Sequence, residues 1–260
     1  MTMVEKMPTI FVGHGSPMNA IEDNEFSRGW IELAKKIPRP NAILCVSAHW
    51  FIPSGKITAM SNPKTIHDFW GFPQELYEQQ YPAPGDPELA KMISQSLSDI
   101  KIQLDSSWGL DHGTWSVLRR MNPQADIPVV QLSIDNSKPP QFHYELGKKL
   151  VFLREQGILI IGSGNMVHNL GAMDPDPNYP PYKWAKDFES SISASVLANN
   201  DVSLINFREL GTIAKEAHPF IDHYLPLLYA KGAGGSICTS EVFNQKIVYG
   251  SVSMTSFTFN

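Results

Sequence analysis

Eight histidines are spread over this chain, and three of them share a position that could do chemistry. His14 lies in the loop GHGSP, after the strand-like run Thr9–Val12. His49 lies in SAHW, after Ala42–Ser47, and His168 in GSGNMVHN, just past Ile158–Ile161. In open α/β sheets, ligands gather in the crevice beyond the carboxyl ends of the strands. Imidazoles delivered there from separate strands can converge on one divalent metal, or can move protons near neutrality. Gly13 and Gly15 flank His14 and permit the tight turn that would aim its ring across the sheet.

The other histidines carry less information individually. His112, in GLDHGTW, sits at an expected helix start, and His223 opens HYLPLLYA with Asp222 before it. Alone, each reads equally well as a capping or surface histidine. His67, in TIHDFWGFP, belongs to an aromatic loop able to line a pocket. His143, inside an amphipathic helix, and His218, in a loop, read as structural. The aromatics beside these segments, Trp50, Trp70, Phe72 and Trp115, are core packing by default.

The elements that must hold these residues follow from the apolar pattern. Strand-like runs recur at Thr9–Val12, Ala42–Ser47, Ile57–Met60, Ile102–Leu104, Pro128–Ile134, Ile158–Ile161 and Ser236–Thr239, and an alternating run covers the end of Lys246–Phe259. Helical patterns lie between many of them: Glu25–Ile37, Pro87–Ser98, Thr114–Met121, Pro139–Glu155, Tyr182–Leu197 and Ile221–Ala230. Short, nearly all-apolar strands alternating with helices predict an α/β fold with a central sheet covered on both faces. The alternating C-terminal run adds antiparallel pairing at one edge, so the expected sheet is mixed and mostly parallel. DPDPNYPP, residues 174–181, reads as a surface loop. With no internal repeat, residues 1–260 are expected to form a single catalytic domain.

Composition narrows the class. A chain of 260 residues buries enough surface to need no disulfide or zinc staple. Its net charge of −5, without a basic run, argues against nucleic acid or an anionic membrane as partner. No apolar stretch approaches the ~20 residues of a membrane span, and the opening MTMVEKMP lacks the apolar core of a secretory signal. Cys45 and Cys238 both lie in or beside apolar runs and read as buried thiols, which fits a reducing cytoplasm.

Several motif shapes fail. Gly162-Ser-Gly-Asn-Met-Val has Val167 where a dinucleotide loop needs its third glycine, and Ile161 stands where a nucleophile elbow needs its first. No Walker A and no H-E-x-x-H occurs. In contrast, GHGSPMNAIEDN, SAHWF, TIHDFWGFP, YPAPGDP, DHGTWSVL, PVVQLSID, SGNMVHNL and HYLPLLY, in that order, resemble the class III extradiol ring-cleaving dioxygenases. The resemblance is to the DOPA 4,5-dioxygenase-like branch of the LigB-like superfamily, and it runs from about Pro8 to the C-terminus.

That resemblance implies a non-haem metal site using O2 to open the ring of a catechol, giving a muconic semialdehyde. By resemblance, His14, His49 and His223 are metal ligands. His168 is the acid–base residue or a fourth ligand, and His112 is the second catalytic residue, either facing the substrate or lying one contact behind the ligands. Trp50, His67, Phe72 and Trp115 are the expected substrate-binding side chains. The implied cofactor is Fe(II), which can pass electrons to oxygen; Zn(II), lacking a redox couple, would be a substitute acquired during expression. The expected partners are a small aromatic substrate and O2, with no nucleic acid and no membrane. Three rivals remain at this level: a zinc hydrolase on the same scaffold, a metal chelatase, and a non-catalytic metal-binding protein.

Overall fold

The computed structural model describes residues 6–260; the start of MTMVEKMP, which bears on the expected absence of a secretory signal, lies outside the described residues. The strands are β1 (Thr9–Gly13), β2 (Ala42–Ile52), β3 (Lys56–Thr58), β4 (Gln103–Asp105), β5 (Val129–Asp135) and β6 (Ile158–Gly164). Four short ones follow: β7 (Ser240–Phe243), β8 (Ile247–Val248), β9 (Val252–Ser253) and β10 (Ser256–Phe259). Eight build one sheet in the order β4-β3-β5-β2-β6-β1-β10-β7, and β8 and β9 form a separate hairpin. The centre, β5-β2-β6-β1, is parallel throughout. Antiparallel pairs flank it: β10 on β1, β7 on β10, and β3 on β5.

Successive strand residues point to opposite faces, and each face carries its own apolar layer. On β6, Ile158 and Ile160 enter one layer and Leu159 and Ile161 the other; on β2, Leu44 and Val46 oppose Ile43 and Cys45. The first layer packs under the helices Pro87–Ser96, Pro140–Lys149, Lys183–Leu197 and Leu225–Gly234, the second under Glu25–Lys36 and His112–Met121. Leu225–Gly234 is buried along its whole length, which explains why its sequence shows no polar face. Among the described residues, no helix is long and apolar enough to cross a membrane.

Several boundaries differ from the sequence reading. The strand expected at Ser236–Thr239 lies instead at Ser240–Phe243, where it can pair with β10. The helix expected over Pro139–Glu155 is two pieces, Pro140–Lys149 and Phe152–Glu155. The helix expected from Ile221 begins only at Leu225, with Pro226 in its first turn. Proline fits there because the first-turn N–H has no intrahelical partner. Residues 221–224 are thereby released as a turn, and that turn presents His223.

Candidate metal centre

Five histidines converge beyond the carboxyl ends of the parallel strands. His14 follows β1 directly and is 1% exposed, and its N–H donates to the Gly164 carbonyl at the end of β6. A Cβ on Gly13 would come within 2.7 Å of the Met254 backbone, so only glycine lets β1 pass this closely. His49 is not past its strand, as expected, but within β2. Between Val46 and Phe51 the pairing with β5 slips, five steps along β2 answering two along β5 from Leu132 to Ile134. A bulge of this kind bends the strand and re-aims its side chains; it carries His49. His112 is the first residue of the helix His112–Met121, capped by Asp111, whose side chain accepts from Thr114 N–H. His223 sits against β6, where its carbonyl accepts from Asn165 N–H and a Cβ on Gly164 would come within 2.2 Å of that oxygen.

The closest approach is between Nε2 of His14 and Nε2 of His49, 3.1 Å apart. Ligand nitrogens of His14, His49 and His112 all lie within 4.8 Å of one another. The His223 ring centroid is 5.3 Å from that of His14 and 5.0 Å from that of His49. His168 joins through His223, the two rings stacked with centroids 3.5 Å apart and planes 7° from parallel. An imidazole binds a metal along its ring plane. One ion cannot lie near two parallel planes separated by that distance while about 2.1 Å from a nitrogen of each.

The protons on these rings follow from their outer partners. The Ser163 hydroxyl donates to the Gly113 carbonyl, so at 3.0 Å from Nδ1 of His14 its oxygen accepts, and His14 carries its proton on Nδ1. Oδ2 of Asp68 lies 3.3 Å from Nδ1 of His49 and 3.1 Å from Nδ1 of His112. Asp222 stands 3.2 Å from Nδ1 of His223. Burial, then the neighbouring histidines, hold His14 and His49 well below the usual imidazole range, so both are neutral. Burial and then His223 do the same for His168. With Nδ1 protonated on both rings, His14 and His49 turn bare nitrogens toward each other. Two lone pairs at 3.1 Å repel unless a cation sits beside both, and that spacing suits two imidazoles each about 2.1 Å from one divalent ion. The residues therefore fit a metal.

Charge is supplied one contact further out. Burial alone would raise the Asp68 carboxyl, but its contacts with His112 outweigh that and hold it below the usual carboxylate range. For Asp222 burial is likewise outweighed, by His223, and the group is held at about 2. Asp111, fully buried, is instead pushed up to about 6 by burial first and the Asp68 charge second.

The expected substrate-binding residues are not all brought to the centre. Trp50 is buried and stacks on Trp108, and Trp115 is buried with its indole N–H donating to the Ile66 carbonyl. His67 makes a hydrogen bond of 2.9 Å with the Gln79 carbonyl and packs against Phe69 and Trp115. Phe72 reaches the group only through Phe69, and Trp70 is 86% exposed. Phe69 is the aromatic that meets the histidines, edge-on to His112 at 5.6 Å. Asp68, Phe69 and Ser163 went unread in the sequence; the visible signal was an aspartate inside the aromatic run TIHDFWGFP. His143, bonded to Tyr229 and the Lys138 carbonyl, and His218, bonded to the Met166 carbonyl, stand apart as structural groups.

Comparison with known proteins shows the family. The family described as "Catalytic LigB subunit of aromatic ring-opening dioxygenase" matches residues 7–260. The chain is 47% identical to a 4,5-DOPA dioxygenase extradiol of Escherichia coli (strain K12), over 96% of this chain and 94% of that one. It is 36% identical to a 4,5-DOPA dioxygenase extradiol of Beta vulgaris, over 96% of each. A crystal structure of an uncharacterized Escherichia coli K12 protein superposes with a TM-score of 0.86 at 41% identity, covering 98% of this chain and all of that one.

Proposed function

Because this chain belongs to the LigB family of aromatic ring-opening dioxygenases and is an extradiol ring-cleaving enzyme, we propose that its substrates are catechols, simple or DOPA-like, and its products muconic semialdehydes. The observation that carries the reading is the 3.1 Å approach of Nε2 of His14 to Nε2 of His49, two nitrogens that the partners on Nδ1 leave bare. His14, His49 and His223 hold the metal, with Fe(II) the active ion and Zn(II) an inactive substitute. The metal, when bound, supplies a Lewis-acidic site for the two catechol oxygens and the electron path to O2.

The chain's own residues do the rest. A catechol must shed phenolic protons to bind through both oxygens, and a neutral imidazole takes such a proton directly. His168 is that base. Its stack on His223 keeps it beside the metal ligands without sharing their ion, which speaks for a base and against a fourth ligand. His112, one ring edge from Phe69, faces the substrate. The half-buried carboxylates Asp68 and Asp222 offset the charge of a dipositive ion from outside the ring nitrogens. Both cysteines are free and buried, in keeping with work in a reducing cytoplasm as one catalytic domain.

The test is anaerobic reconstitution with Fe(II), then a catechol panel under air, followed by visible absorbance. Iron-loaded protein should turn over catechols to a yellow product while zinc-loaded protein should not. Hydrolysis by the zinc form, with no oxygen uptake by the iron form, would overturn the reading.

A further inference from the structure

Asp68 lies outside the histidine set, yet its side chain is placed against two of its members. Its Oδ1 accepts from the His112 backbone N–H at 2.9 Å. Its Oδ2 then faces Nδ1 of His112 at 3.1 Å and Nδ1 of His49 at 3.3 Å, with the carboxylate largely buried. One carboxylate oxygen can accept from two rings at once, and here the contact to His112 is bent, since its Nδ1 makes no straight hydrogen bond. The rings themselves are 3.9 Å apart. A carboxylate oxygen against a bare ring nitrogen at these distances would be repulsive, so both Nδ1 atoms carry protons.

We infer that Asp68 is a positioning residue that fixes the tautomer of His49 and His112 together, leaving Nε2 of each ring unprotonated. For His49 that nitrogen is the one 3.1 Å from His14. A single carboxylate thus sets one metal-binding nitrogen and one substrate-facing nitrogen at the same time. Partners of this kind raise ligand basicity and hold ring orientation. The inference rests on the metal reading above only for its consequence, since the tautomers exist without metal.

The chemistry of asparagine makes the inference testable against a merely structural role. In Asp68→Asn the side-chain oxygen stays on the His112 N–H, and the NH2 group then faces both Nδ1 atoms as a donor. That arrangement drives their protons to Nε2, where a metal cannot bind. Asp68→Ala removes the partner without imposing the wrong one. We expect zinc affinity, measured by competition with a chromophoric chelator, to fall about 10–100-fold in Asp68→Ala and further in Asp68→Asn, although asparagine is the closer isostere. Long-range 1H–15N spectra of metal-free, 15N-histidine-labelled protein should show Nδ1–H for His49 and His112 in the wild type and Nε2–H in Asp68→Asn. Unchanged tautomers in Asp68→Asn, or alanine more harmful than asparagine, would overturn the inference. A wild type that fails to bind zinc would instead count against the metal reading, with the spectra still deciding the role of Asp68.

Discussion

The imidazoles of His168 and His223 lie face to face, 3.5 Å between centroids and 7° from parallel. Stacked rings cannot share one ion in their planes, and the proposed division of labour follows from that: His223 holds metal and His168 remains available for a proton. Burial and then the His223 neighbour keep His168 neutral, the state a base requires before it acts.

Replacing His168 with Phe, which keeps a flat ring on His223, should leave metal content unchanged and lower kcat by about 10²–10⁴-fold. Metal analysis and steady-state rates on the same preparation check this. Complete loss of metal in the variant would make His168 a ligand and place the base elsewhere.

For His14→Ala and His223→Ala the expected pattern is reversed. Zinc affinity should fall roughly 100-fold or more, since loss of an outer partner alone costs about 10–100-fold. The fold should persist, because the two apolar layers do not depend on the site. Competition titration and circular dichroism of the metal-free variants separate the two effects.

A structural histidine should dominate part of the acid sensitivity. Burial pushes His143 down to about 4, against an ordinary value near 6.5 in the unfolded chain. Between those limits the unfolded state takes a proton that the native state refuses, so stability falls as pH drops from about 6.5 to 4. The loss from this group is up to about 3 kcal/mol. In His143→Gln the slope of unfolding free energy against pH in that window should flatten by up to one proton, about 1.4 kcal/mol per pH unit. An unchanged slope in urea titrations would remove His143 from the account.

Arg154 is fully buried and donates to the carbonyls of Met7, Ala233, Gly234 and Phe259, tying together segments far apart in sequence. Arg154→Met keeps much of the volume but strands these acceptors. It should cost about 3 kcal/mol or more, read as a lower urea midpoint with kcat unchanged in the folded fraction.

Substrate range should be broad. Arg119, the cation considered for an amino-acid tail, lines a surface groove with Ile31, Lys35 and Pro123 rather than the histidine group. Iron-loaded protein should therefore open DOPA, dopamine, 3,4-dihydroxyphenylacetate and 4-methylcatechol with kcat/KM values within about tenfold, or ~1.4 kcal/mol. A hundredfold preference for DOPA would reveal a tail site.

The chain's apolar pattern by itself determined the α/β class, the mixed sheet and the position of His14, because continuous apolar strands are legible one residue at a time. Strand-end position had already drawn attention to His49 and His168; the motif blocks carried the family and added His112 and His223. Only the tertiary structure decided how these residues meet. The bulge that aims His49 arises from pairing between β2 and β5, which a single strand's sequence does not express. The turn presenting His223 depends on where the buried helix can start against β6. Asp68 and Ser163 could not be read at all as partners: their roles consist of distances to rings 19 to 149 positions away in the chain. Local composition encodes which face of a strand is apolar; which nitrogen of a histidine is bare is set by the atom lying against the other one.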